Sequence, residues 1–140
     1  MENYTIELGK EELQLISRAL DLYSRVGLLQ FDKLTDCLSL QKLVWERGVQ
    51  EEFDAQSKEL KNLLGYPSNA NPGIFNTKYV RDDVRISANM HQTIRHKFWL
   101  DTDKRNRFEY TVDAYPADIC KIANIEEPNF KIINYEQDTI

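Results

Sequence analysis

The amino-acid sequence predicts an α+β fold in one domain spanning residues 1–140: about four helices packed with a small, mostly antiparallel sheet. Three observations predict it. Two long stretches repeat apolar residues at helical spacing, from Glu11 to Gly27 and from Asp82 to Leu100. Short runs near the two ends, NYTIEL (Asn3–Leu8), RFEYTV (Arg107–Val112) and FKIINY (Phe130–Tyr135), alternate instead and are rich in β-formers. At 140 residues with a 41% apolar fraction, the chain is one domain in length and can bury a core without disulfides.

Taken in order, NYTIEL predicts a strand. Glu11–Gly27 predicts an amphipathic helix, with Leu13, Leu15, Ile16, Ala19, Leu20, Leu22, Tyr23 and Val26 on one half of the wheel and Gln14, Ser17, Arg18, Asp21, Ser24 and Arg25 on the other. Arg18 and Arg25 read as a solvated face, with ligand contact as the sharper alternative. Leu28, Phe31, Leu34 and Leu38 suggest a further helical segment after Gly27. Leu40–Leu64 predicts a third helix that either meets two neighbours or breaks near Gly48, with Gly65 as its terminator. Asp82 or Asp83 starts the next helix, and both read best as carboxylates complementing its dipole. Asp101–Asn106 reads as a turn, Ile119–Ile125 as a short helix or strand, and the residues from Glu136 as a loose end.

The charge and motifs narrow the function more by exclusion. A net charge of −5, from 23 acids among 18 bases, lacks the basic surface that nonspecific nucleic-acid binding requires. No apolar run is long enough for a membrane span, and no signal peptide begins the chain, so a cytoplasmic protein is expected. Two cysteines, Cys37 and Cys120, make no disulfide framework. No phosphate-binding, dinucleotide-binding, zinc-protease or nucleophile-elbow motif occurs. These absences favour a binding protein over an enzyme, with no cofactor, no metal and no catalytic residue assigned. His91 and His96, five residues apart, diverge by about 140° and are poorly placed to share a metal.

The candidate site lies in Gly65–His96. Its first half, Gly65–Asn76, packs two Gly, two Pro and three Asn into twelve residues. A non-periodic loop of that kind is more often functional than a short connector. In the following helix, Val84, Ala88, His91, Ile94, Arg95 and Phe98 form the packed face. Arg81, Arg85, Asn89, Gln92 and His96 lie on an adjoining strip, at offsets of 4, 8, 11 and 15 from Arg81. Guanidinium forks suit phosphate or carboxylate oxygens, and amides suit base edges. The expected ligand set is therefore Asn69, Asn71, Asn76, Tyr79, Arg81, Arg85, Asn89, Gln92 and His96, taking a small anionic, nucleotide-like ligand.

RALDLYSRVGLLQFD (Arg18–Asp32), GYPSNANPGI (Gly65–Ile74) and DVRISANMHQTIRH (Asp83–His96) resemble a group of small proteins encoded by bacteriophages and prophages. That group shares an ALDLYSR helix, a Gly-aromatic-Pro-x-Asn-Ala loop ending in Gly-Ile, and a helix ending in Arg-His. The likeness covers roughly two thirds of the chain and stops at Asp101. It implies a phage accessory protein in the host cytoplasm and no catalytic residues, and it raises host takeover or counter-defence as the role. Two other readings stand beside ligand capture. One is an inhibitor or adaptor for a host protein, or a homo-oligomer, using Leu40, Leu43, Val44 and Trp45. The other is a small hydrolase or nuclease pairing His91 or His96 with Asp82 or Asp83.

Overall fold

A computed structural model describes residues 2–102 and 112–138. Among them the chain is all-helical, and the expected sheet is absent. The elements are α1 (Lys10–Gly27), a 3-10 helix (Phe31–Asp36), α2 (Leu38–Arg47), α3 (Gln50–Leu63), α4 (Asp82–Asp101), α5 (Ile119–Ile122) and α6 (Tyr135–Asp138).

The α+β expectation is therefore corrected. NYTIEL is irregular and exposed, with Tyr4 83% and Ile6 75% accessible. It is joined to the C-terminal part by a hydrogen bond from Asn129 Nδ2 to Asn3 Oδ1 at 2.8 Å. FKIINY is irregular up to Asn134, and Tyr135 opens α6. Of RFEYTV, Arg107–Thr111 lie outside the described residues, and Val112 is irregular but buried. Alternation makes a strand only when a neighbouring strand takes its hydrogen bonds and an apolar floor takes one face. The described residues offer NYTIEL neither.

α1 and α4 form the central pair, and their packing is the most extensive between helices among the described residues. Glu11 and Glu12 sit in the first turn of α1 and Arg25 in its last, each complementing the helix dipole. Gly27 lies where α1 meets α4. A Cβ there would run into the Val84 methyl groups, so a glycine permits the close approach. The seam is notably polar. Ser24 Oγ and Ser87 Oγ both donate to the Leu20 carbonyl, at 2.8 and 2.6 Å, and Tyr23 donates its hydroxyl to Asp83. Ile94, at 0% exposure, is the apolar centre of α4.

The long helix expected over Leu40–Leu64 does break at Gly48, which adopts φ 63° and returns its N–H to Trp45. Gly65, at φ 81°, ends α3 in the same left-handed conformation. α3 rests on the 3-10 helix and only lightly on α2. The C-terminal segment returns to α4: α5 packs against it, and Lys97 Nζ pairs with Asp101 at 3.1 Å and with Asp138 of α6 at 2.7 Å. Among the described residues no helix is long and apolar enough to cross a membrane.

Candidate functional site

Two cavities flank this framework. The first is a cleft of about 280 Å³ between α1 and α4. α1 contributes Gln14, Ser17, Arg18, Asp21 and Arg25, one helical face at three- and four-residue spacing. α4 contributes His91, Arg95 and Phe98, again one face.

His91 joins the two walls. Its Nδ1 lies 2.8 Å from Ser17 Oγ, and its Nε2 lies 3.7 Å from Asp21 Oδ1. Burial holds the imidazole below its ordinary pKa; the Asp21 carboxylate opposes that shift, while Arg95 and Arg25 add to it. The ring is therefore neutral at neutral pH. The acceptor-only carboxylate of Asp21 favours the proton on Nε2, and Ser17 then donates to Nδ1.

Ser17, His91 and Asp21 together bring a hydrolytic triad to mind, but the geometry does not make one. Asp21 stands beyond hydrogen-bond reach of the ring and already accepts from Arg25 Nε at 3.4 Å. Ser17 is only 6% exposed. It also lies mid-helix, where neighbouring N–H groups are taken by the helix ladder and cannot form an oxyanion hole. What the cleft offers is positive charge: three guanidinium groups face a single lining carboxylate. Arg25 Nη1 is held by Gln30 Oε1 at 3.0 Å, and Arg95 Nη2 by the Val112 carbonyl at 2.9 Å. Asp113 lies 3.7 Å from Arg95 Nη1. Arg18 makes no ion pair or side-chain hydrogen bond among the described residues.

The strip expected from Gly65–His96 is placed differently. Arg85 is buried, donating to Asp82 Oδ1 and to the Asn76 carbonyl, both at 3.0 Å. Asn89 is buried and accepts from the Cys120 N–H at 3.1 Å. Gln92 accepts from the Asp118 N–H at 3.4 Å. His96 Nδ1 lies 3.1 Å from the Asp113 carbonyl, and its ring stacks on Trp99. These four side chains hold the loop and the C-terminal segment onto α4. Arg81 is exposed at the helix start and pairs with Asp83 at 3.3 Å. Asn76 Oδ1 receives the N–H groups of Lys78 and Tyr79, a local turn, and Tyr79 packs edge-on against Tyr66. Asp82 and Asp83 occupy the first turn of α4, away from both histidines' partners.

Asn69 and Asn71 belong to the second cavity, about 300 Å³, which also takes in Lys61 and lies between the 3-10 helix, α3 and the loop. So the loop and the α4 strip do not converge on one site. Arg18 and Arg25 do line one, and so do His91 and Arg95 opposite them. The sequence signal for this was a pair of matched faces, Ser17-Asp21-Arg25 and His91-Arg95-Phe98, which becomes legible once α1 is known to pack on α4. Among the described residues, no group of His, Cys, Asp and Glu has metal-holding geometry. No known protein family, curated protein or solved structure matches the chain.

Proposed function

We propose that the protein is a non-catalytic binding protein that captures a small anionic, nucleotide-like ligand in the cleft between α1 and α4. The observation that carries this reading is Arg18, a guanidinium without a protein partner among the described residues, beside Arg25 and Arg95 in a cleft with one lining carboxylate. Guanidinium forks match phosphate and carboxylate oxygens, and the Phe98 ring supplies a flat apolar surface for a base. The resemblance to phage-encoded proteins fits sequestration of a nucleotide signal as a counter-defence.

Calorimetry against a panel of mono- and cyclic nucleotides tests the reading. At least one nucleotide binds the wild type, and Arg18→Ala weakens it at least about tenfold without lowering the melting temperature, because Arg18 holds nothing else in place. No heat and no thermal shift with any nucleotide in the panel would sink the proposal.

A second reading has its own observation. Leu38, Leu43 and Trp45 of α2 and Leu63 of α3 are all more than half exposed, a set suited to a protein partner such as a host factor. Affinity purification from expressing cells that recovers no partner removes it.

A further inference from the structure

α3 turns its polar side inward. Ser57 and Lys61, one turn apart, are its buried residues, whereas Leu60, Leu63 and Leu64 face solvent. Burying an ammonium is costly unless a counter-charge accompanies it. Lys61, 7% exposed, has no such partner among the described residues: its Nζ donates to the neutral Asn71 Oδ1 at 2.7 Å and forms no ion pair. An ammonium has three donors, so two remain.

The side chain borders the cavity beneath the Ser68–Asn71 loop. That cavity is charge-balanced without being ion-paired. Lys58 and Lys61 line it together with Asp32 and Asp54, and among the described residues none of the four pairs with another. Asp54 Oδ1 accepts from Gln50 Nε2 at 3.0 Å, and its remaining lone pairs have no protein donor there. Leu29 and Phe31 supply an apolar wall. Opposite charges held apart in one cavity complement a molecule whose own charges are held apart. A dianionic phosphate fits less well, since two aspartates face it.

We propose that this cavity is a second binding site, for a small zwitterion of the α-amino-acid class. The ligand carboxylate lies on Lys61 and Asn71, its ammonium faces Asp54 and Asp32, and its side chain meets Leu29 and Phe31. The volume suits a molecule of that size and is at the lower end for ligand pockets. The site shares no lining residue with the α1–α4 cleft, so it stands or falls separately.

Amide NMR shifts of the full chain during titration with each standard amino acid, to roughly 10 mM, provide the test. At least one amino acid moves the amides of Ser57–Lys61 and Ser68–Asn71 saturably, and acetate and methylamine, each carrying one pole, bind at least about tenfold more weakly. Lys61→Met abolishes the shifts, Asp54→Asn weakens binding about tenfold, and Arg18→Ala leaves it unchanged. Absence of saturable shifts with every amino acid, shifts that persist in Lys61→Met, or acetate binding as tightly as the amino acid overturns the proposal.

Discussion

The seam between α1 and α4 and the inner face of α3 are both polar, yet they differ in how their buried groups end. Along the seam the buried serine hydroxyls close on protein partners. Ser24 and Ser87 share the Leu20 carbonyl and Ser17 meets His91, while on the neighbouring row of α4 Arg85 holds Asp82 and the Asn76 carbonyl and Asn89 receives the Cys120 N–H. On α3, Ser57 closes on the Phe53 carbonyl, but Lys61 stops at one amide and faces a cavity. A closed polar line is architecture, because every buried donor has been answered. An open one keeps capacity for something else. A similar contrast holds around α4: Arg85 and Asn89 are spent on structure, whereas across the cleft from His91 and Arg95 the guanidinium of Arg18 has no partner among the described residues.

The largest effect should come from Ile94 of α4, the fully buried aliphatic side chain among the described residues. Ile94→Ala removes a methylene and both methyl groups from a site with 0% exposure and is expected to cost about 2–5 kcal/mol, read by chemical denaturation. Asn89→Ala strips the acceptor from the buried Cys120 N–H and should cost about 1–3 kcal/mol. A loss below a few tenths would mean that the line is not closed as described.

His91 gives the next, smaller effect, and its sign is set by linkage. Its folded pKa lies below the unfolded value of about 6.5, so folding disfavours the proton. The stabilisation is fully present above about pH 6.5 and is lost as the pH falls from there through the folded value. Melting temperatures followed from about pH 8 to pH 5 should therefore drop more steeply in the wild type than in His91→Gln, which carries no titrating ring. Parallel curves would show that the ring is not held neutral.

Lys61→Met should have the smallest effect on stability, and that contrast is the sharpest check of the comparison. Replacing a buried, unpaired cation by an apolar chain of similar length is expected to be neutral or stabilising. A loss comparable to Asn89→Ala would make Lys61 a structural group after all.

The helices were readable in the sequence because their signals are local. Apolar residues at three- and four-residue spacing mark the extent of α1 from within its own residues, although its buried positions are Ser17 and Ser24 while Leu15, Ile16 and Tyr23 of the expected apolar half are exposed. Gly48 and Gly65 mark where α3 is bounded. The ends were not. Tyr4, Ile6 and Leu8 alternate as a strand does, but a strand depends on a neighbour and a floor. The buried residues of α1 are Ser17 and Ser24, and Ser87 lies buried opposite them on α4. The α1–α4 seam therefore presents no broad apolar layer that calls for a sheet to cover it. The site divides in the same way. A helical wheel sets Arg85, Asn89, Gln92 and His96 in a row but says nothing of what packs on that row. Asn76, Asp113, Asp118 and Cys120 arrive there from up to 31 residues away and occupy it.

The two glycines that bound α3 have a further consequence. Gly48 and Gly65 both sit at positive φ with open space where a Cβ would project, so neither joint is clamped by neighbouring atoms. Between them α3 leans, among the helices, chiefly on the 3-10 helix, and Lys61 ties it to the loop at Asn71. Such a segment is expected to open as a cooperative unit before the whole chain unfolds, with its amides exchanging with solvent sooner than those of α1 and α4 in a hydrogen-exchange measurement. A molecule seated on Lys61 would act as a latch on that one unit and slow its exchange alone. A molecule seated between α1 and α4 would protect the framework on which everything else is mounted.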